Sequence, residues 1–283
     1  MSENVLETLA ADYPQLYLDP DTDDQETYRR VVLRGEDPGK SSLAHYRGSP
    51  FDRLETAQTP TGPVRVLTLG DRQDFERVIR GLTAAKSGPL APVPQSQGAA
   101  MLTLFNWPRI HRHLAAFPES EQGAEFRRFI SDKSNYIDML VVLSRGPYSN
   151  VPAGAAGQPE ADWLALSDTI RKYHELTHVV CRRRRPDRID PVWDELAADA
   201  VGLAAAFGRF DPGLERLFLG LRDGRYTDGR LGNYTEDPET AAAWVDPALE
   251  RIRAVTDVWD GKDPFDLIPP LTEDESLRPH AEG

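Results

Sequence analysis

The run Ala161–Val180 constrains this chain more than any other segment. Its apolar positions Trp163, Leu164, Leu166, Ile170, Tyr173, Leu176 and Val180 follow helical rather than strand periodicity. Pro159 ahead of Glu160 and Asp162 suits a helix start, and Pro186 after Arg182–Arg185 suits its end. Inside this helix lies His174-Glu175-Leu176-Thr177-His178. Residues i and i+4 share a helix face, so His174 and His178 aim their imidazoles at one point. That is the spacing two nitrogen ligands need to hold one Zn²⁺ at about 2.0–2.1 Å. Glu175, next in line, can reach water at the metal without ligating the metal itself.

A catalytic zinc takes three protein ligands and keeps one position open. Seventeen positions beyond His178 stands Glu195, the best candidate for the third. Asp190–Gly208 reads as a second helix, with Val192, Trp193, Leu196, Ala200, Val201 and Leu203 apolar and Pro191 in its first turn. Glu195 and Asp199 are i and i+4 and leave the same face. A turn between two antiparallel helices brings that face to the His pair. Asp199 then suits the role of accepting the distal N–H of a ligating His and fixing its tautomer. Cys181 is the competing third ligand, i+3 from His178. Three ligands from one continuous helix strain the geometry, and a lone buried Cys is more often a small core hydrophobe.

The pair His174-Glu175-x-x-His178 and Glu195-x-x-x-Asp199 resembles the zinc site of the gluzincin, thermolysin-like metallopeptidases, over about residues 170–203. The resemblance implies His174, His178 and Glu195 as metal ligands, Glu175 as general base and Asp199 as support for a His. It implies a zincin-like fold in which a strand ahead of the metal helix offers its edge to substrate; Tyr136–Leu143 stands in that position, while its apolar Met139–Leu143 end equally suits a buried central strand. The gap between His178 and Glu195 is somewhat shorter than in thermolysin. No oxyanion donor falls at a matching position; Tyr148, Tyr226 and Tyr234, each in a loop, are the candidates.

With 283 residues, 40% of them hydrophobic, the chain can bury a proper core. Its net charge of −13 argues against nucleic-acid or anionic-membrane partners. The N-terminus lacks the basic and apolar regions of a signal peptide, and no run is apolar enough for a membrane span. A single Cys excludes an internal disulfide and suits a reducing compartment. The expectation is a cytoplasmic protein; its oligomeric state is not legible.

The remaining segments suggest an α+β fold, with a small mixed sheet in the N-terminal half packed on a mainly helical half that carries the metal helix. Strands are expected at Val64–Leu69, Ala99–Phe105 and Tyr136–Leu143. Helices are expected at Asp71–Ala85, Trp107–Phe117, Glu121–Ile130, Pro212–Leu221 and Pro238–Asp260. Residues 1–62 read as an irregular N-terminal extension, apart from a short helix within Met1–Tyr13, 63–262 as a metallohydrolase-like domain and 263–283 as a C-terminal tail. Asp19–Asp24 lacks the Gly and terminal Glu of a calcium loop and reads as a solvated turn. His111 and His113 are i and i+2, face apart, and read as surface His. Three Gly make Arg222–Tyr234 read as a flexible loop, and Arg182–Arg185 as a solvated helix end or an anion-binding surface.

These features lead to a zinc-dependent hydrolase that directs metal-activated water at an amide or peptide bond. Two alternatives use the same residues: a metal-dependent enzyme for a non-peptide small molecule, and a metal-stabilised partner-binding protein. The intact Glu175 weighs against the second, since a structural site needs no base.

Overall fold

The computed structural model describes residues 5–39, 41–83, 92–95, 97–185 and 190–273. The chain forms two compact units, Met1–Thr56 with Arg65–Ser144 and Ala57–Val64 with Arg145–Gly283. The fold is mixed α+β.

The first unit holds α1 (Val5–Ala10), α2 (Gln25–Tyr28), β1 (Arg53–Ala57), β2 (Val64–Leu69), α3 (Arg72–Thr83), β3 (Ala99–Phe105), α4 (Trp107–Leu114), α5 (Glu119–Ile130) and β4 (Ile137–Ser144). The strands form one mixed sheet in the order β1-β2-β4-β3, with β4 parallel to β2 and antiparallel to β3. Leu140–Leu143 is a continuous apolar run and entirely buried, the pattern of a strand covered on both faces. Because β4 is paired on both sides, it has no edge to give. Of the two readings of Tyr136–Leu143, the buried central strand holds and strand addition does not: its backbone donors and acceptors already serve β2 and β3.

One face of this sheet, Leu67, Leu69, Leu140 and Val142, packs against Phe75, Val78 and Leu82 of α3. Leu6, Leu9, Tyr13 and Leu16 complete the same core. The reading of residues 1–62 as an irregular extension is thus corrected. Leu6, Leu9, Tyr13 and Leu16 recur at steps of three and four, and that spacing carries a buried stripe. β1 was also unforeseen, inside a Gly- and Pro-rich segment. Its sequence Arg-Leu-Glu-Thr-Ala lacks a strong apolar alternation, and pairing with β2 decides its conformation.

Asp19–Asp24 is tied down by cations rather than simply solvated. Arg80 bonds Asp21, Arg77 lies 3.8 Å from Asp19, and the Asp24 side chain caps α2 through Thr27 N–H at 2.8 Å. His111 Nε2 lies 2.9 Å from the Leu33 carbonyl oxygen, and the His113 ring stacks on Phe129 at 4.1 Å. Both are half-buried packing residues and do not converge.

The second unit holds α6 (Glu160–Arg184), α7 (Pro191–Phe207), α8 (Pro212–Leu219), β5 (Leu221–Arg222), β6 (Arg225–Tyr226), α9 (Pro238–Thr256) and α10 (Ile268–Glu273). α7 starts as its sequence suggests: the Asp190 side chain accepts from Trp193 N–H at 3.0 Å, with Pro191 at the first helical position. α6 and α7 pack along each other, and Gly202 sets their approach. A Cβ there would stand 2.7 Å from the Ile170 carbonyl oxygen. Ile170 is one turn before His174, and Gly202 one turn after Asp199, so the closest crossing lies beside the predicted site.

The expected C-terminal tail is also corrected within the described residues. Phe265, Leu267, Ile268 and Leu271 are buried, and Trp193 Nε1–H donates to the Leu271 carbonyl at 2.8 Å. Residues 274–283, and Pro186 at the expected helix end, lie outside the described residues. Of the arginine run, Arg183 donates to the carbonyls of Thr61, Gly62 and Pro63, and Arg185 to that of Thr272. Half of the run is committed to backbone. Among the described residues no helix is long and apolar enough to cross a membrane.

Candidate metal centre

α6 and α7 bring His174, His178 and Glu195 together, the one His/Cys/Asp/Glu group with metal-ligand proximity among the described residues. His174 Nε2 and His178 Nε2 are 3.0 Å apart. Glu195 Oε2 lies 3.3 Å from the first and Oε1 3.5 Å from the second. Ligands at about 2.0–2.1 Å from a tetrahedral ion stand about 3.3–3.4 Å from one another. The donor set therefore fits one zinc-sized ion without rearrangement. Among the described residues no fourth His, Cys, Asp or Glu joins the group.

The far side of each imidazole is held by a carboxylate. His174 Nδ1–H donates to Asp199 Oδ1 at 2.7 Å, and His178 Nδ1–H to Asp194 Oδ2 at 2.9 Å. A carboxylate only accepts, so each bond puts a proton on Nδ1 and leaves Nε2 free to ligate. Asp199 stands where the helix spacing predicts. Asp194 does not share that stripe, and sequence reasoning gave it no role. Its signal was available: an acid beside Glu195 in the first turn, close to where the second His must arrive.

Asp199 is fully buried within a polar cage. Tyr148 O–H donates to its Oδ1, and Arg230 bonds its Oδ2 and, at 2.9 Å, the Tyr148 oxygen. The Arg230 guanidinium also lies over the Tyr148 ring, 4.9 Å from its centroid. This removes Tyr148 as an oxyanion donor, because its O–H is buried and given to Asp199. Tyr226 is removed too: its hydroxyl donates to the Gly229 carbonyl at 3.1 Å within its own loop. Tyr234 remains, with its hydroxyl in hydrogen-bonding contact with the Glu195 carboxylate rather than committed away from the ligand group. It is half-buried beside Glu195, and burial, offset in part by Arg230 but helped by the Glu195 and Asp199 charges, keeps its phenol neutral.

In the loop bearing Arg230 and Tyr234 two of the glycines sit at close contacts of chain with chain. A Cβ on Gly229 would fall 2.4 Å from Gly220 N, and one on Gly232 2.6 Å from the Tyr226 hydroxyl. Glycine here permits close contact of chain with chain and pins the loop.

Glu175 follows His174 on α6, half-buried, and makes no hydrogen bond or ion pair among the described residues. Cys181 is buried outside the ligand group, and burial pushes its thiol up to about 12. It behaves as a small core side chain.

Burial opposes charge on every group here, yet partners prevail at the ligands. For His174, the Asp199 charge and hydrogen bond, then Glu195, outweigh desolvation and raise its pKa to about 10. For Glu195, the His174 hydrogen bond and the His174 and His178 charges outweigh burial and lower it to about 2. In the metal-free protein the sign follows directly. His174, raised above its ordinary 6.5, stabilises the fold fully below that pH, and the contribution is lost as pH climbs through about 10. Glu195, lowered from 4.5, stabilises above that pH, and the contribution is lost as pH falls through about 2. Thermal unfolding of metal-free protein across pH should therefore show greatest stability between these limits. A flat profile from pH 6.5 to 10 contradicts the assignment.

Asp194→Asn retains the shape of the His178 partner but removes its charge. Loss of such an outer partner lowers metal affinity about 10–100-fold. Chelator competition measures it; unchanged affinity would remove Asp194 from the site.

No curated protein and no solved structure matches the chain. Residues 1–253 match the model described as a family of unknown function (DUF7005), and the chain belongs to that family.

Proposed function

We propose that the protein is a mononuclear zinc hydrolase acting on an amide or peptide bond, with a zincin-like arrangement of its metal helices. The observation that carries this reading is the convergence of His174 Nε2, His178 Nε2 and Glu195, with each imidazole backed by its own carboxylate. A structural site closes its fourth position with protein, whereas no fourth His, Cys, Asp or Glu joins this group among the described residues, and the Glu175 carboxylate follows on the same helix. Zinc held there supplies Lewis acidity and water acidified towards neutrality.

The chain's own residues complete the chemistry. Glu175 takes a proton from water and returns it to the leaving nitrogen. Asp199 and Asp194 hold the rings so that both Nε2 atoms face the same point. Tyr234, neutral and beside Glu195, donates a hydrogen bond to the carbonyl oxygen as negative charge develops on it. Arg230, fixed on Asp199 and Tyr148, keeps the support of His174 anionic.

Peptide and small amide libraries, assayed before and after chelation, test the proposal. Cleavage that disappears on chelation and returns with zinc is expected. Hydrolysis unaffected by chelation, or none by the zinc-loaded protein on either library, contradicts it.

A further inference from the structure

Asp199 has more neighbours than holding His174 requires. Oδ1 takes His174 and Tyr148, and Oδ2 takes Arg230. A carboxylate offers about four lone-pair positions, so one remains. Glu215 of α8 comes within hydrogen-bonding contact of Asp199. Glu215 is fully buried, and neither of its oxygens finds a donor among the described residues. Ionised, it would set a second carboxylate against Asp199 away from water, with Arg230 as the cation near both. The start of α8 gives no relief, because Asp211 already caps it by accepting from Gly213 and Leu214 N–H. Two carboxyl groups in buried contact do not both ionise; one proton between them resolves the conflict.

Resting on the metal-centre reading above, we propose that Glu215 is a neutral carboxylic acid whose O–H donates to Asp199. It is a positioning residue that completes the cage around Asp199 and keeps that carboxylate ionised and aimed at His174. Burial first, then the Asp199 charge, raises the Glu215 carboxyl far above its ordinary range. What the position requires is a hydrogen-bond donor of the right shape rather than a charge.

Glu215→Gln keeps both shape and donor, while Glu215→Leu keeps bulk and removes the donor. Infrared spectra of the metal-free full chain should show a protonated-carboxyl band that shifts in D2O and is missing from Glu215→Gln. By chelator competition, Glu215→Gln should hold zinc within about threefold of wild type and Glu215→Leu should lose about 10–100-fold. Should Glu215→Leu fail to fold, the band and the Glu215→Gln affinity decide. Identical bands in wild type and Glu215→Gln overturn the proposal, as does a Glu215→Gln affinity more than tenfold below wild type. A wild type that shows the band yet binds no zinc upholds the neutral acid and overturns the metal reading alone.

Discussion

His178→Ala is expected to lower zinc affinity by about 10²–10³ and to abolish turnover with it. Four-ligand zinc sites bind with about 10–16 kcal/mol, so one ligand accounts for roughly 3–4 kcal/mol, or about 10²–10³ in affinity. The geometry of this centre offers no replacement. Cys181 lies one turn further along α6 but outside the ligand group, with its thiol raised by burial. Asp194, released from His178, sits on the outer side of the ring rather than on the Nε2 side. Competition with a chelator of known affinity reads the loss directly. Retained affinity in His178→Ala would show that the metal, if any, is held elsewhere.

Glu175→Gln separates binding from chemistry. The residue is half-buried, near the Arg171 charge but with no hydrogen bond or ion pair among the described residues, and Gln preserves its volume. Zinc content and thermal stability should therefore remain those of wild type. Gln cannot accept the proton from water, and removing a positioned general base costs about 10²–10⁴ in rate. The two variants have different signatures: His178→Ala loses metal and rate together, whereas Glu175→Gln loses rate alone. A Glu175→Gln protein that turns over like wild type would remove Glu175 as the general base.

Much of this site was legible because its information is local. His174, Glu175 and His178 lie within two turns of one helix. Glu195 and Asp199 repeat the same i, i+4 geometry on the next helix, so periodicity alone places His174 and His178 on one stripe and Glu195 and Asp199 on another. The buried β4 run was legible for the same reason, as were the limits of α7, set by Asp190, Pro191 and Gly208. What sequence did not reveal depends on contacts between distant segments. Tyr148, Glu215 and Arg230 reach Asp199 from a loop, a short helix and a second loop, and no periodicity joins them. The glycines of Arg222–Tyr234 misled because flexibility and close packing share the same residue; only the neighbouring backbone distinguishes them. β1 and the packing of the N-terminal segment into the core were missed for another reason. Their conformation is set by β2 and by the apolar face that Leu6, Leu9, Tyr13 and Leu16 help to cover.

The central claim is that His174, His178 and Glu195 hold one metal ion. X-ray absorption at the zinc edge, on protein dialysed to constant metal content, tests it most directly. The expected result is one zinc per chain, with two imidazole nitrogens and oxygen ligands at about 2.0–2.2 Å and no sulfur. Zinc absent at stoichiometric level after reconstitution, or a sulfur ligand in its shell, would contradict the assignment.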